Sequence, residues 1–278
     1  MKLFEKEVAN GKRFEFGKNW QSFLSVLSDE RIKIAENSFA SMLNVDDLRG
    51  KKILDIGSGS GLFSLIARKM GGVVYSFDYD PVSVACTKKL RSRYFPDDAN
   101  WVIEEGSILD KDFILTLGKF DLVYSWGVLH HTGDLWTSLK NINSLVDNNG
   151  TLFIALYNDQ GWKSRFWRKI KKLYCSSILG KSFVSCIFIP YFFMKTILLS
   201  ILKRKNIFSE HKKNSRGMSL THDWHDWLGG FPFEVAKVED VFHFYQDKGF
   251  IMKNITTTSG LGNNQFVFVR TNHEVSYE

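Results

Sequence analysis

Ile53-Leu54-Asp55-Ile56-Gly57-Ser58-Gly59-Ser60-Gly61 decides the fold of this 278-residue chain. A short apolar run of strand type breaks into three glycines at alternate positions, and Leu62 to Arg68 then has the composition of a helix start. A strand, a glycine turn and a helix in that order make a nucleotide-cradling unit. Glycine lets the backbone approach a ligand closely, and the helix N-terminus offers it free N–H groups. The dinucleotide fingerprint asks for glycine three residues after Gly59, but that position is Leu62. A carboxylate is expected about 20 residues on, to hold ribose hydroxyls. Val73 to Asp78 supplies it as a strand ending in Asp78.

Working outward, strand and helix patterns alternate from Lys51. Asp80-Pro81 reads as an N-cap with proline in the first helical turn. Trp101 to Glu104 is the third strand, Phe120 to Trp126 the fourth and Thr151 to Tyr157 the fifth. The alternation stops for nearly eighty residues. It resumes with a helix at Val238 to Tyr245 and two strands, Phe250 to Thr257 and Gln265 to Arg270. Strands so close should pair antiparallel, whereas the alternating part implies a parallel sheet with ligands at its C-terminal strand ends.

The tight G-x-G-x-G with Asp55 ahead of it resembles motif I of the class I S-adenosylmethionine (SAM) methyltransferases. Phe120 to Thr132, with its Gly127-Val128-Leu129-His130-His131 end, resembles the fourth-strand motif of the ubiquinone and menaquinone biosynthesis methylases. The resemblance covers 50–158 and 236–272, about half the chain. It implies an α/β, Rossmann-like, seven-stranded and mostly parallel sheet with an antiparallel C-terminal hairpin. A helical cap (1–49) would precede this core, and a substrate-side insertion (159–235) would follow strand five. It further implies SAM as cofactor, held by Asp55, Gly57, Ser58, Gly59 and Gly61 and, at the ribose, by Asp78. Tyr79 and Ile108 would wall the adenine. Ser107 stands where the family often has an aspartate, which is a departure. Ser125, Trp126 and Gly127 complete the cofactor set.

His130 and His131 follow the fourth strand, whose end lies beside the transferable methyl in that architecture. Imidazole, with an ordinary pKa near 6.5, can take a proton from a hydroxyl acceptor. The expected reaction is methyl transfer to a small molecule, at a hydroxyl oxygen. Trp20, with Phe14 and Phe16 beside it, is expected to cap the core and close over the cofactor. Tyr157, Asn158, His222, Asp223 and Asp226 are the other candidate substrate contacts. His–Asp spacing alone does not specify a metal site, and none is assigned.

The charge of +7 is unevenly placed. Residues 159–216 hold fourteen Lys/Arg against two acids, a net +12, which leaves 7 − 12 = −5 elsewhere. A uniformly basic nucleic-acid binder would differ. An RNA or DNA methyltransferase is the alternative that the basic insertion permits, and a silent SAM-binding membrane module is the third. Trp162, Phe166, Trp167, Ile170, Leu173 and Tyr174 are expected on one face of an amphipathic helix, with cations on the other. Phe183 to Met194 is apolar, but twelve residues fall short of the ~20 a bilayer span needs, and Pro190 and Lys195 argue against a span. The insertion is therefore expected to be a lid or an interfacial surface admitting a lipid-like acceptor. Three cysteines without metal spacing, and a charged first 20 residues, point to a cytoplasmic protein, peripheral at the inner membrane face if that surface is used.

Overall fold

The computed structural model of the protein describes residues 3–203 and 220–271, with the side chains of 220–223 left aside. The strands are β1 (Lys52–Ile56), β2 (Val73–Asp78), β3 (Trp101–Glu105), β4 (Phe120–Trp126), β5 (Val146–Tyr157), β6 (Phe250–Thr256) and β7 (Asn263–Arg270). They form one seven-stranded sheet in the order β3-β2-β1-β4-β5-β7-β6. β3 to β5 pair in parallel, while β7 runs antiparallel to both β5 and β6. Strand order reverses between β1 and β4, so the loops leaving these two strands open onto one crevice.

Period-two alternation sends successive side chains to opposite faces. Leu54, Ile56 and Val123 pack on one side with Leu139 and Ile142 of α7 (Leu135–Leu145) and Tyr245 of α11 (Val238–Gln246). Ile53, Leu122 and Tyr124 pack on the other with Leu65 and Ile66 of α4 (Leu62–Lys69) and Phe39 of α3 (Asp29–Leu43). Each fully buried aliphatic or aromatic side chain contributes roughly 1.5–3 kcal/mol. Short polar residues set the helix starts. Asp80 caps α5 (Pro81–Tyr94) by accepting from the Val82 N–H, and Asp134 caps α7 by accepting from Thr137.

The N-terminal segment adds α1 (Leu3–Ala9) and α2 (Gly17–Ser25). Asp80 fastens α2 to the core, because its second carboxylate oxygen accepts the Gly17 N–H at 2.7 Å.

Two expectations for the insertion need correction. The apolar element is not confined to the twelve residues Phe183 to Met194: α9 (Ile178–Leu202) is one 25-residue helix that passes through Pro190 and Lys195. Phe188 and Phe192, on either side of the proline, both pack on Trp167, at centroid separations of 5.2 and 6.2 Å. Its length and composition suffice to cross a membrane. In α8 (Trp162–Ser176) the expected division of faces fails as well. Trp162, Phe166 and Leu173 are exposed, whereas Lys171 is fully buried. The Lys171 amine donates to the Trp227 carbonyl and lies 4.0 Å from the centre of the Trp227 ring, while burial lowers its pKa to about 7. The helix α10 (Leu220–Gly229) carries Trp227 and closes the group.

Candidate active site

The crevice at the strand-order reversal is a cavity of about 400 Å³. Its floor is the turn after β1, where Gly57, Gly59 and Gly61 all have positive φ, at 74°, 55° and 81°. A Cβ on Gly59 would come within 2.9 Å of the Trp20 indole nitrogen, and one on Gly57 would strike Val128 in the loop after β4. The Gly57 and Ser58 N–H groups donate to the Phe77 carbonyl at 2.8 and 3.1 Å, tying the turn to β2. The Ser58 hydroxyl is committed to Thr87 at 2.9 Å, and Thr87 in turn donates to the Gly59 carbonyl at 3.3 Å.

Asp78, at the end of β2, lines the cavity. Its two oxygens accept the Gly59 and Asp80 N–H groups, each at 2.9 Å, which fixes the carboxylate beside the glycine turn. Burial pushes its pKa up to about 7. Asp55 lies deeper, and burial raises it to about 6 against the opposing Ser64 hydrogen bond. Trp101 donates to Ser76 at 2.9 Å, Ser76 to Ser64 at 2.8 Å, and Ser64 to Asp55, a buried relay that orients this carboxylate.

Tyr79, Ser107 and Ile108 line the same end of the cavity. The Ser107 hydroxyl accepts the Leu109 N–H at 3.2 Å, so it closes its own turn. Trp126 and Gly127 are also on the wall. Ser125 is not among the lining residues. It is fully buried and donates to the Ile56 carbonyl at 3.1 Å, joining β4 to β1.

The two histidines sit on a 3-10 turn, Leu129–His131, and do different things. His130 is fully buried behind the wall, where its Nδ1 accepts the Tyr157 N–H at 3.2 Å. Its Nε2 finds no hydrogen-bond partner among the described residues. Burial holds it neutral, far below the ordinary range. His131 reaches the cavity. Its Nδ1 stands 2.6 Å from the Pro232 carbonyl oxygen. A carbonyl only accepts, so Nδ1 carries the hydrogen and Nε2 the lone pair. Burial first, and the Lys171 and Arg13 charges after it, lower the His131 pKa to about 3.

Tyr157, Asp226 and Trp20 line the cavity. Asn158 does not: its amide donates to the Thr258 and Gly260 carbonyls at 3.0 and 3.1 Å and braces the β6–β7 turn. His222 and Asp223 begin α10, but their side chains lie outside the described residues. Sequence reasoning missed Arg13, Val128 and Trp227, all on the wall. Arg13 donates to the His131 and Thr132 carbonyls at 2.7 and 3.1 Å, pairs with Glu7 at 2.7 Å, and stacks 4.9 Å from the Tyr79 ring centre. Only its place among the aromatics Phe14 and Phe16 hinted at this.

A SAM-sized ligand fits these residues. Gly57 and Gly59 leave a backbone cradle that a side chain would fill, and the half-buried Asp78 carboxylate beside it has lone pairs left for ribose hydroxyls.

A family profile described as a methyltransferase domain matches residues 47–227. The ubiquinone biosynthesis O-methyltransferase of Coxiella burnetii (strain RSA 493 / Nine Mile phase I) is 26% identical over 158 residues, 57% of this chain and 62% of the enzyme. The highly reducing polyketide synthase otaA of Aspergillus niger is 34% identical over 120 residues, but these make only 5% of its length. Among solved structures, PKMT2 from Rickettsia typhi in complex with AdoHcy superposes with a TM-score of 0.56 at 16% identity, over 84% of this chain and 51% of that one. Magnesium protoporphyrin IX methyltransferase from Synechocystis PCC 6803 with bound SAM gives 0.51 at 14% identity, over 86% and 79%. The chain belongs to the methyltransferase domain family, with the fold and cofactor cradle of the class I SAM-dependent enzymes.

Proposed function

We propose that the protein methylates a hydroxyl oxygen of a small, largely apolar acceptor, with His131 as the group that receives the hydroxyl proton. The observation that carries this reading is the tautomer of His131, a cavity-lining residue whose Nδ1–H is engaged by the Pro232 carbonyl, so that Nε2 keeps the lone pair. When bound, SAM supplies a methyl group on a cationic sulfur, open to attack by an oxygen. Gly57, Ser58, Gly59 and Asp78, which line the cavity, bind and orient that ligand, whereas Gly61 lies off the wall against Thr87. Trp20 and Phe16 keep water from the reacting end. Burial keeps the free imidazole neutral, so Nε2 can accept the hydroxyl hydrogen and align the oxygen. It takes the proton only as the new bond forms, when that oxygen becomes far more acidic than the imidazolium. Alignment of this kind can remove about 7–11 kcal/mol of barrier. His130, turned away from the cavity, supports the turn rather than the reaction.

The apolar end, with Phe14, Phe16, Tyr157 and Trp227, suits a ring or chain better than a phosphate backbone. An O-methyltransferase of ubiquinone biosynthesis among the relatives supports the same choice. The test is incubation with methyl-labelled SAM and either a lipid extract or total RNA. Label in an organic-soluble, base-stable product is expected. Label in RNA alone would replace this reading with nucleic-acid methylation.

A further inference from the structure

The face of α9 turned away from the protein is a row of large apolar side chains that none of the described residues covers. Ile178 is 84% exposed, Leu179 82%, and Met194 and Leu202 69% each, with Phe183, Ile187, Tyr191, Leu198 and Ile201 also open. Only a narrow stripe at Gly180, Val184 and Thr196 is buried, where α9 meets its neighbours. A helix hydrophobic all round is ordinarily buried in a core or in lipid. Trp162 and Phe166 of α8 add exposed aromatics.

Charge decides the occupant. Residues 162–203 contain nine Lys/Arg and no Asp or Glu, and Lys163, Arg165, Lys169 and Lys172 stand exposed on α8. An apolar ridge bordered by cations alone complements an anionic lipid surface. We propose that α8 and α9 dock the protein onto the anionic face of a lipid bilayer, with α9 lying in the plane of the headgroup boundary. A spanning α9 would carry Lys195 and the cations of the attached α8 into hydrocarbon, where an unpaired charge is costly. Lying flat, the long cationic stems reach the headgroups while Phe183, Ile187 and Leu198 enter the acyl boundary.

Docking there also serves the cavity. Trp167 of α8 packs 5.4 Å from Trp227, and Trp227 lines the cavity, so one aromatic layer separates the lipid-facing pair from the acceptor end. The surface itself is independent of the methyl acceptor, because lipid binding requires no SAM.

The experiment is flotation of the full-length protein with vesicles of phosphatidylcholine alone, or with about one quarter phosphatidylglycerol. Three proteins are compared: wild type, Ile187→Glu/Leu198→Glu, and Lys169→Gln/Lys172→Gln. All substituted side chains are exposed, and SAM affinity and far-UV circular dichroism serve as fold controls. Wild type is expected to float with the anionic vesicles and far less with neutral ones. The two glutamates should weaken partitioning by about 100-fold, through lost apolar burial, and the two glutamines by about 30-fold, the equivalent of about 1 kcal/mol per surface cation. Three results would each overturn the proposal: no binding of folded wild type to anionic vesicles, equal binding to neutral ones, or unchanged binding by the glutamate variant. A vesicle-indifferent wild-type dimer that the glutamates convert to a monomer would assign the ridge to a second copy of the chain instead.

Discussion

His131 Nδ1 and the Pro232 carbonyl oxygen lie 2.6 Å apart, although 101 residues separate them in sequence. That bond joins the turn after β4 to the segment that closes the insertion, and it decides which imidazole nitrogen keeps its lone pair. A Cβ on Gly230 would come to 3.0 Å from the His131 ring, so the closing segment passes tightly against the histidine.

Replacing His131 with Asn should therefore affect turnover more than cofactor binding. A lost general base costs about 10²- to 10⁴-fold in rate. Steady-state kinetics on the true acceptor, beside SAM titration, should show kcat reduced in that range with a nearly unchanged SAM Kd. His130→Asn should instead lower thermal stability, since His130 is fully buried and braces the Tyr157 backbone.

The same histidine sets a pH dependence of stability. Its folded pKa of about 3 lies below the unfolded value of 6.5. Between these limits the unfolded chain binds the extra proton, so stability is fully present above pH 6.5 and is lost as pH falls toward 3. The slope attributable to one such group is at most about 1.4 kcal/mol per pH unit. Urea unfolding of wild type and His131→Asn at several pH values should show profiles that converge as pH drops, with wild type losing more.

Gly59→Ala places a side chain at φ 55° and within 2.9 Å of Trp20. The left-handed conformation alone costs about 1–2 kcal/mol, and the new methyl intrudes on the cradle. Calorimetry should find SAM binding weakened or abolished, with a melting temperature only a few degrees lower.

Arg13→Ala removes two charge-assisted hydrogen bonds to the His131 and Thr132 carbonyls and the cation over Tyr79. Each such bond contributes about 1.5–3 kcal/mol. Hydrogen exchange should become faster in 3–25 and 129–133 together, because this one side chain clasps the cap to the catalytic turn.

The sheet was legible because period-two and period-3.6 patterns are local, and Asp78 stood at the expected distance from the glycine turn. His131 and Trp126 were legible as cavity positions through the fourth-strand motif, and Tyr157 through its place at the end of the fifth strand. Arg13 was not, because its partners are carbonyls 118 and 119 residues away, and backbone acceptors leave no mark in a sequence. Lys171 misled the reading of α8: a lysine reads as solvent-facing unless a carbonyl and an aromatic ring await it inside. Pro190 misled the reading of α9, since proline usually ends a helix, yet here the helix continues through it with Phe188 and Phe192 packed on Trp167. Asn158 and Ser125 have the polarity of site residues, yet both spend it on backbone carbonyls.

The central claim is that the crevice between β1 and β4 binds SAM through the glycine turn and Asp78. Isothermal titration of SAM into wild type and Asp78→Ala at pH 8 and pH 6 tests it most directly. Because burial holds the free Asp78 near pKa 7, wild-type affinity should rise with pH across this range as the carboxylate ionises. The alanine variant should bind about 5- to 150-fold more weakly at pH 8, the equivalent of 1–3 kcal/mol, and lose the pH dependence. No SAM binding by folded wild type, or equal affinity in both proteins at both pH values, would contradict it.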